Sequence, residues 1–318
     1  MPLLESSFRP PWYLRNAHLQ TILAALLPRP QIASQREPLR LRDGDEVDLD
    51  WMRWGNSRLA VLSHGLEGSS GAGYIRGLAA CLRREGWDVL AWNYRGCSGR
   101  PNRLLRTYHS GESGDLREVI AHAARGYKAI ALIGFSLGGN ITLKYLGEAP
   151  PHPKVKAAVA FSTPVDLTSS AVALDSRWDN RIYLRRFLKS LIEKVETKAQ
   201  FFPGELNVTG ARQLRNFRDF DNRFTAPMHG FTNSTDYWSR ASSRPLLSAI
   251  SVPTLLVNAK DDSFLGEACY PVAEARRSTF LHLETPAQGG HLGFMDRLSH
   301  PCRWHERRAL EFLGDHVT

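Results

Sequence analysis

The chain of 318 residues carries 41 Lys and Arg residues against 32 Asp and Glu residues, which gives a formal net charge of +9. Hydrophobic residues make up 42% and charged residues 23% of the sequence, and these globular proportions exclude a disordered, collagen-like or coiled-coil chain. The pI is near 9.6, but the basic residues are scattered, so we expect a mildly basic surface and no nucleic-acid partner.

The first 38 residues are punctuated by prolines and contain one short amphipathic helix, predicted at residues 18–27. The apolar face of this predicted helix comprises Leu19, Ile22, Leu23, Leu26 and Leu27. We expect this face to pack on the rest of the protein, because apolar stripes on surface helices normally face a core. Membrane contact is the less favoured alternative.

From residue 37 onward, apolar runs that predict strands alternate with amphipathic runs that predict helices. The predicted strands cover residues 37–42, 47–54, 58–63, 87–92, 129–133, 155–161, 254–258 and 279–283. The predicted helices cover residues 74–84, 115–124, 137–146 and 304–313. This alternation predicts an α/β fold, with a mostly parallel sheet and helices on both of its faces.

The alternation is interrupted at residues 164–245, which hold one long predicted helix, residues 180–196, and then irregular sequence. We interpret this stretch as a helical cap inserted into a core formed by residues 39–163 and 246–318, with a loosely ordered loop as the alternative. Residues 179–223 contain ten basic and six acidic residues interleaved with phenylalanines. This composition favours an anionic or lipid-like substrate, or else a solvated helix face above buried aromatic rings.

The strongest local motif is G-x-S-x-G at residues 134–138, between the strand predicted at 129–133 and the following helix. A sharp strand-to-helix turn projects the Ser136 hydroxyl from the end of the sheet, and flanking glycines make room for the turn. The amino end of the next helix presents free N–H groups to developing negative charge. The context therefore predicts that Ser136 is a nucleophile.

A nucleophilic serine needs a base, and the base needs an acid that orients it. In hydrolases with this turn the order along the chain is serine, acid, histidine. His291 lies in a glycine-flanked loop just after the strand predicted at 279–283, where parallel sheets bind ligands, and is the preferred base. The rival bases are His64 and His109, which precede Ser136, and His282, which lies within a predicted strand.

The acid follows the strand predicted at 254–258, where Asp261 and Asp262 are adjacent. We favour Asp262, because it stands at the position of the turn that usually holds the acid. Asp261 is the nearest alternative. Asp166, after the preceding strand, is the other candidate, because some hydrolases carry the acid there.

Two main-chain groups are predicted to bind the oxyanion of a tetrahedral intermediate. The His64–Gly65 turn follows the strand predicted at 58–63 and supplies the N–H of Leu66, and the residue after the nucleophile, Leu137, supplies the other. Cys97 has no partner base in the sequence and is not expected to be a second nucleophile. The glycines at 71, 73 and 77 have the wrong spacing for a dinucleotide fingerprint, so we predict no cofactor and no metal.

The four cysteines, at positions 81, 97, 269 and 302, include no C-x-x-C pair and do not make a disulfide scaffold in a chain this long. The first fifteen residues lack a basic stretch followed by an apolar core. The apolar run at 21–27 is far shorter than the roughly 20 residues that span a bilayer. We expect a soluble cytoplasmic protein without stable membrane insertion.

Seven segments occur in an order that resembles the YheT-like branch of the α/β-hydrolases. They are AHLQTI, HGLEGSS, NYRGCSG, YHSG, GFSLGGN, NAKDDSF and GGHLGF, and the resemblance extends from about Pro10 to Leu313. The resemblance implies an α/β-hydrolase fold, action on medium-chain esters or phospholipids, and Ser136, Asp262 and His291 as the triad. The family often has proline where this chain has Ser263, and eukaryotic members often carry an N-terminal membrane anchor that is absent here.

These observations together predict a serine hydrolase that cleaves carboxylic esters, with short- to medium-chain acyl groups, through an acyl-enzyme. The expected partner is a small-molecule ester or lipid-like substrate. One alternative is acyl transfer to an alcohol, because the same acyl-enzyme serves both reactions. A non-catalytic lipid- or nucleic-acid-binding protein is the alternative from another class, motivated by the net charge.

Overall fold

In the computed structural model, residues 2–297 and 300–317 are described, and nine strands within them form a single sheet. The strands in chain order are β1 (Leu3–Leu4), β2 (Gln35–Arg40), β3 (Glu46–Met52), β4 (Arg58–Ser63), β5 (Asp88–Asn93), β6 (Ala129–Phe135), β7 (Val155–Phe161), β8 (Thr254–Val257) and β9 (Leu281–Glu284). Their order across the sheet is β1-β9-β8-β7-β6-β4-β5-β3-β2. Strands β2 and β3 are antiparallel to their neighbours, and the other pairs are parallel.

Helices cover both faces of the sheet. The α-helices in the described chain are α1 (Ala17–Leu26), α2 (Gly73–Arg84), α3 (Ser113–Ala123), α4 (Leu137–Glu148), α5 (Leu167–Ser176), α6 (Arg181–Phe201), α7 (Phe217–Phe220), α8 (Ala226–Met228), α9 (Ser234–Ala241), α10 (Val272–Arg277) and α11 (Trp304–His316). Neighbouring residues of one strand point to opposite faces, so Leu132 of β6 packs in the cluster with α3 and α4, and Ile133 packs with α2 and α11. The predicted α/β architecture is confirmed.

The predicted strands match the observed ones closely, because buried parallel strands are continuous apolar runs. The strands predicted at 58–63 and 155–161 have the observed boundaries. The two-residue strand β1, which pairs with β9 at Leu3 and Leu283, is not predicted. A strand this short carries no periodic pattern, so only its tertiary contact identifies it.

The chain between β7 and β8 forms helices α5 to α9 with a hydrophobic cluster of their own. The cluster includes Leu184, Leu188, Ile192 and Val195, which recur on one face of α6 at helical spacing. We call this segment the helical insertion. No described helix has both the length and the apolar character needed to traverse a bilayer.

Helix α1 packs through a different face from the one predicted. Its buried residues are Gln20 and Ala24, whereas Leu19, Ile22 and Leu26 are exposed. The side chain of Gln20 donates to the carbonyl oxygen of Leu14 at 2.7 Å and accepts from the N–H of Met295 at 2.8 Å. The prediction that the leucine-rich face packs on the protein is therefore wrong for Leu19, Ile22, Leu26 and Leu27, and it is confirmed for Leu23, which packs against the cluster of Leu14, Ala24 and Met295.

Candidate active site

Ser136 stands at the sharp turn between β6 and α4, with φ of +54° and ψ of −120°. A positive φ is costly for a residue with a side chain, so this backbone is strained. A Cβ atom at Gly138 would overlap the carbonyl group of Ser63 on β4, and one at Gly134 would overlap that of Gly138. The two glycines therefore permit the close packing that holds the turn in this conformation.

The structure brings His291 to Ser136. The Nε2 atom of His291 lies 3.0 Å from the Oγ atom of Ser136, within hydrogen-bond distance. The main-chain N–H of His291 donates to Thr21 Oγ1 of α1 at 2.9 Å, and the ring of Phe264 stacks on the imidazole with centroids 4.1 Å apart. Helix α1 thus fixes the loop of His291, a contact that the sequence analysis missed because it spans 270 positions.

The carboxylate of Asp262 lies on the other side of the imidazole. The Nδ1 atom of His291 is 2.8 Å from Oδ2 and 3.1 Å from Oδ1 of Asp262, which is buried just beyond the end of β8. Of the alternative acids, Asp261 accepts from the N–H of Gly290 at 2.9 Å, and burial raises its pKa. Asp166 accepts from the N–H of Ser169 and caps α5.

The rival histidines have other contacts. His64 is fully buried, its Nδ1 lies 2.8 Å from the carbonyl oxygen of Gly65, and burial lowers its pKa to about 4. His109 Nε2 lies 3.4 Å from a carboxylate oxygen of Glu112. His282 lies within β9 with its ring 5.5 Å from that of Phe312.

Both predicted oxyanion donors border the cavity that Ser136 lines. Leu137 is the first residue of α4, so its N–H has no partner within the helix. Leu66 occupies a turn closed by a hydrogen bond from the N–H of Gly68 to the carbonyl of Gly65, and that turn leaves the Leu66 N–H unused. Neither N–H group donates any of the hydrogen bonds given for the described chain.

Glu67, the next residue of this turn, has a positive φ of 53° and is held by three side chains. Its carboxylate accepts from Tyr108 Oη at 2.6 Å, from Ser190 Oγ at 2.5 Å and from Lys194 Nζ at 2.7 Å. Burial alone would raise the pKa of Glu67, but the charge of Lys194 and these hydrogen bonds outweigh it and lower the pKa. Since Ser190 and Lys194 belong to α6, the helical insertion fixes the turn that holds Leu66.

Two residues of the NYRGCSG segment have contacts outside the Ser136–His291 pair. The guanidinium of Arg95 is buried and pairs with Asp115 at 2.7 Å and Asp45 at 3.0 Å, so it ties down its own loop. The Sγ atom of Cys97 lies 3.2 Å from Lys194 Nζ, and burial raises the pKa of this thiol to about 11. Cys97 is therefore a protonated, weakly nucleophilic thiol at neutral pH.

Two cavities meet at Ser136 and His291. The smaller, of about 90 Å³, is lined mainly by apolar side chains, many of them from the helical insertion, including Leu174 and Phe217. The larger, of about 500 Å³, lies between α1, the Leu66 turn and α6. Side chains that line both cavities are Leu66, Phe187 and Phe264. The Ser136 hydroxyl and the His291 imidazole therefore lie where the two cavities adjoin.

One acidic side chain lines the smaller cavity. Asp221 accepts from Thr225 Oγ1 at 2.6 Å and from Trp238 Nε1 at 2.8 Å. Burial raises the pKa of Asp221 to about 7, since the two hydrogen bonds offset the loss of hydration only in part. A carboxyl group with this pKa is largely neutral in weak acid.

Within the described residues, two groups of side chains have ligand atoms close enough together to hold a metal ion. They are Cys81, Cys302 and Glu306, and His109, Glu112 and His229. The sulfur atoms of Cys81 and Cys302 form a disulfide bond. In the second group, Glu112 is ion-paired with Arg106, and burial together with this cation lowers the pKa of His109 to about 3. A cationic setting disfavours a divalent cation.

Comparison with known proteins identifies related sequences along nearly the whole chain. A family model described as the alpha/beta hydrolase fold matches residues 61–298. The chain is 35% identical to YheT of Escherichia coli (strain K12), an esterase by name, over 98% of this chain and 94% of that protein. It is 26% identical to phospholipase ABHD3 of Bos taurus, over 93% of this chain and 75% of that protein.

A further relative is the medium-chain fatty acid ethyl ester synthase/esterase 2 of Saccharomyces cerevisiae, 29% identical over 91% of this chain and 66% of that protein. Among solved structures, an esterase of Pyrococcus furiosus has a TM-score of 0.61 at 16% identity and covers 92% of this chain and 97% of that chain. An esterase from Exiguobacterium antarcticum has a TM-score of 0.54 at 20% identity, with 88% and 98% covered. At these identities the structural likeness concerns the fold.

Proposed function

Because the chain belongs to the α/β-hydrolase family, in its YheT-like branch, we propose that it is a serine esterase that cleaves carboxylic esters through an acyl-enzyme. The observation that carries the proposal is the hydrogen-bonded series Ser136–His291–Asp262, with distances of 3.0 and 2.8 Å. Relatives named as esterases and phospholipases support ester hydrolysis in general.

In this mechanism Ser136 Oγ attacks the ester carbonyl carbon while His291 Nε2 takes the hydroxyl proton. The tetrahedral intermediate collapses, the C–O bond to the alcohol breaks, and His291 returns the proton to the departing alcohol oxygen. Water, deprotonated by His291, then attacks the acyl carbon; the bond from that carbon to Ser136 Oγ breaks, and His291 returns the proton to Oγ, which releases the carboxylic acid and restores the Ser136 hydroxyl. Asp262 holds the imidazole in the required tautomer and stabilises its protonated form.

The main-chain N–H groups of Leu66 and Leu137 are proposed to bind the oxyanion of each tetrahedral intermediate. Donors fixed before the reaction need no reorganisation when charge develops, and each contributes on the order of 100- to 1,000-fold in kcat. The contacts of Glu67 with α6 support this role, because they restrain the turn that carries Leu66. The proposed chemistry requires no metal or cofactor.

We assign the acyl chain to the smaller cavity and the alcohol portion of the ester to the larger one. A buried apolar cavity of about 150 Å³ binds benzene, so the cavity of about 90 Å³ fits a short acyl chain. Displacement of side chains such as Leu174, which is only partly buried, extends it toward medium-chain acyl groups. The substrate proposed is thus a short- to medium-chain ester with a larger alcohol portion.

The helical insertion acts in this proposal as a cap, residues 164–245, over a catalytic core formed by residues 39–163 and 246–318. The apolar lining from α5 and α7 supports the role, because the insertion supplies most of the smaller cavity's wall. Residues 1–38 form a segment packed on the core, supported by the contacts of Gln20 and Thr21 with the chain around His291.

Acyl transfer to an alcohol is a second candidate, favoured by the relative named as an ethyl ester synthase and esterase. The larger cavity admits either water or an alcohol to the acyl-enzyme. Incubation with a butyrate ester and excess ethanol distinguishes the two reactions by their products. Butyric acid alone supports hydrolysis, and ethyl butyrate supports transfer.

The proposal is tested with p-nitrophenyl esters from acetate to decanoate. The wild-type protein is expected to turn over the short members best, and Ser136→Ala to lose at least about 10,000-fold in kcat. Asp262→Asn should lose a similar factor, whereas the neighbouring Asp261→Asn should lose far less. Ser176→Ala, an exposed serine on α5, is the matched control and should retain full activity. Full activity in Ser136→Ala would overturn the proposal.

A further inference from the structure

Large apolar side chains protrude from two segments of the protein. Trp12 and Leu26 are 80% and 71% exposed, and Trp178 and Ile182 are 80% and 66% exposed. We call the exposed apolar residues of these two segments the entrance surface. It comprises Trp12, Tyr13, Leu19, Ile22, Leu26, Leu27, Trp178 and Ile182. Isolated exposed apolar residues are ordinary, but a group of this size marks an interaction site.

The two segments are joined at the opening to Ser136. His18 of α1 makes hydrogen bonds with Tyr183 Oη at 3.1 Å and with Asp179 at 3.3 Å, next to Trp178 and Ile182. The larger cavity is lined by Ile22 and Leu26 from α1, by Tyr183 and Arg186 from α6, and by Ser136 itself. The entrance surface therefore borders the cavity through which the alcohol portion of a substrate would reach the nucleophile.

The same segments carry positive charge almost without acidic residues. Residues 6–36 contain four arginines and no Asp or Glu, and residues 180–192 contain three arginines, one lysine and no Asp or Glu. Arg29 and Arg36 are ion-paired with Glu306 and Asp50, whereas Arg15, between Tyr13 and Leu19, is exposed and in none of the ion pairs given for the described chain. Arg186 lines the larger cavity and is in none of the ion pairs given for the described chain, whereas Arg181 and Arg185 line a separate cavity on the other face of α6. Asp179, next to Trp178, already pairs with Arg177 and His18. The entrance surface is thus apolar with a cationic rim.

We propose that the entrance surface docks on the surface of a membrane that contains anionic phospholipids. Amphipathic tryptophan and tyrosine rings reside at the headgroup level of a bilayer, and arginines bind its anionic headgroups. Two copies of this chain facing each other here would oppose two cationic rims. A protein seated here would cover the opening to Ser136, whereas a bilayer would deliver an ester into it.

Docking of this kind is peripheral. Helix α1 has ten residues, half the length that spans a bilayer, so its exposed side chains reach only the headgroup and upper acyl region. The delivery of substrate rests on the proposed function, but the docking itself does not. The two are separated by measuring vesicle binding with Ser136→Ala, which retains the entrance surface and lacks the nucleophile.

The test is co-sedimentation of the full chain with phosphatidylcholine vesicles that contain or lack phosphatidylglycerol. In the Ser136→Ala background, Trp12→Ser with Trp178→Ser should weaken binding to the anionic vesicles by at least about tenfold. Arg15→Glu with Arg186→Glu should weaken it by a similar factor and make the remaining binding less dependent on salt, because fewer cationic contacts are left to screen. Phe201→Ser, which removes an equally exposed ring at the far end of α6, is the matched control and should bind like the parent.

Three results would overturn the docking proposal. One is that the Ser136→Ala parent does not sediment with anionic vesicles at low salt. Another is that Phe201→Ser abolishes vesicle binding while the double variant Trp12→Ser with Trp178→Ser binds unchanged. The third is a wild-type dimer, by size-exclusion chromatography, that the tryptophan pair converts to a monomer without any vesicle binding. The double variant Trp12→Ser with Trp178→Ser, made with Ser136 intact, should hydrolyse a water-soluble p-nitrophenyl ester as fast as the wild type. Loss of that activity would reflect damage to the active site instead.

Discussion

The Oε1 atom of Glu67 accepts a hydrogen bond from Lys194 Nζ at 2.7 Å, across 127 positions of sequence. Glu67 follows Leu66 in the turn after β4, and Lys194 lies in α6 of the helical insertion. The ion pair is largely buried, with 8% and 18% of the two side chains exposed. It therefore links the insertion that lines most of the smaller cavity to the turn that carries a proposed oxyanion donor.

Lys194→Met removes this link while keeping an apolar stem of similar length. Because Lys194 acts through Glu67 and Leu66 as a positioning residue, we expect kcat for p-nitrophenyl butyrate to fall about 10- to 100-fold with little change in KM. Lys189→Met, on the exposed face of the same helix, should leave both constants unchanged. Adding Glu67→Gln removes the unpaired buried charge and should restore part of kcat. An unchanged kcat in Lys194→Met would refute the positioning role.

The smaller cavity predicts opposite effects of filling and enlarging it. Ala171→Leu places a larger side chain in the lining and should lower kcat/KM for hexanoate relative to acetate by about tenfold. Leu174→Ala should shift the preference toward the longer acyl chain by a similar factor. Val172→Ala, exposed on the same helix α5, is the control. The same chain-length profile in all three variants would place the acyl group elsewhere.

Asp221 predicts a pH dependence of stability. The pKa of this carboxyl is raised to about 7 by burial in the native state and is about 4 in the unfolded chain, so between these values the native state binds more protons. The free energy of unfolding therefore falls as the pH rises from about 4 to 7. Asp221→Asn has no carboxyl group at this position and so lacks this pH-dependent loss of stability. The Tm of the variant relative to the wild-type Tm should therefore be higher at pH 8 than at pH 5.

The measurement for Asp221 is thermal unfolding by circular dichroism at the two pH values. Asp219→Asn, an exposed aspartate two positions away, is the matched control and should show no such difference. A Tm difference between Asp221→Asn and the wild type that is equal at pH 5 and pH 8 would contradict the raised pKa.

The cysteines give a simple count. Cys81 of α2 and Cys302, just before α11, form a disulfide, whereas Cys97 and Cys269 are free. In denaturant without reductant we expect two thiols per chain to react with Ellman's reagent, and four after reduction. Reduction should also lower the Tm by several degrees, because the bond closes a loop of over 200 residues.

Four reactive thiols before reduction would show that the bond does not form in solution. Disulfides persist mainly in oxidising compartments, so this count also bears on the cytoplasmic location that the sequence analysis predicts. The pairing of Cys81 with Cys302 could not be predicted from the sequence, because no local pattern relates cysteines that are 221 positions apart.

The local features of the site were predictable because each follows the end of an apolar strand. Ser136, Asp262 and His291 all lie in loops after such strands, and parallel strands bring these loops to one edge of the sheet. Their hydrogen bonds in the structure agree with that expectation, while their catalytic roles stay predictions.

Features that depend on contacts between distant segments were not predictable. The pattern of α1 identifies a helix but not which face is buried, since Gln20 and Thr21 bind the chain around His291 and most of the predicted apolar face stays exposed. The contacts of Glu67 with α6 likewise depend on how the helical insertion folds over the sheet. In both places polar side chains of one segment form hydrogen bonds or an ion pair with a distant segment. The hydrophobic periodicity of the sequence carries no information about such contacts.

The most direct test of the central claim is labelling by a fluorophosphonate, which phosphonylates an activated serine and releases fluoride. Intact-mass measurement should show one adduct per chain, and peptide mapping should locate it at Ser136. Ser136→Ala should show no adduct, and His291→Ala should react at least about 1,000-fold more slowly. An adduct on another residue, or equal labelling of Ser136→Ala, would contradict the account.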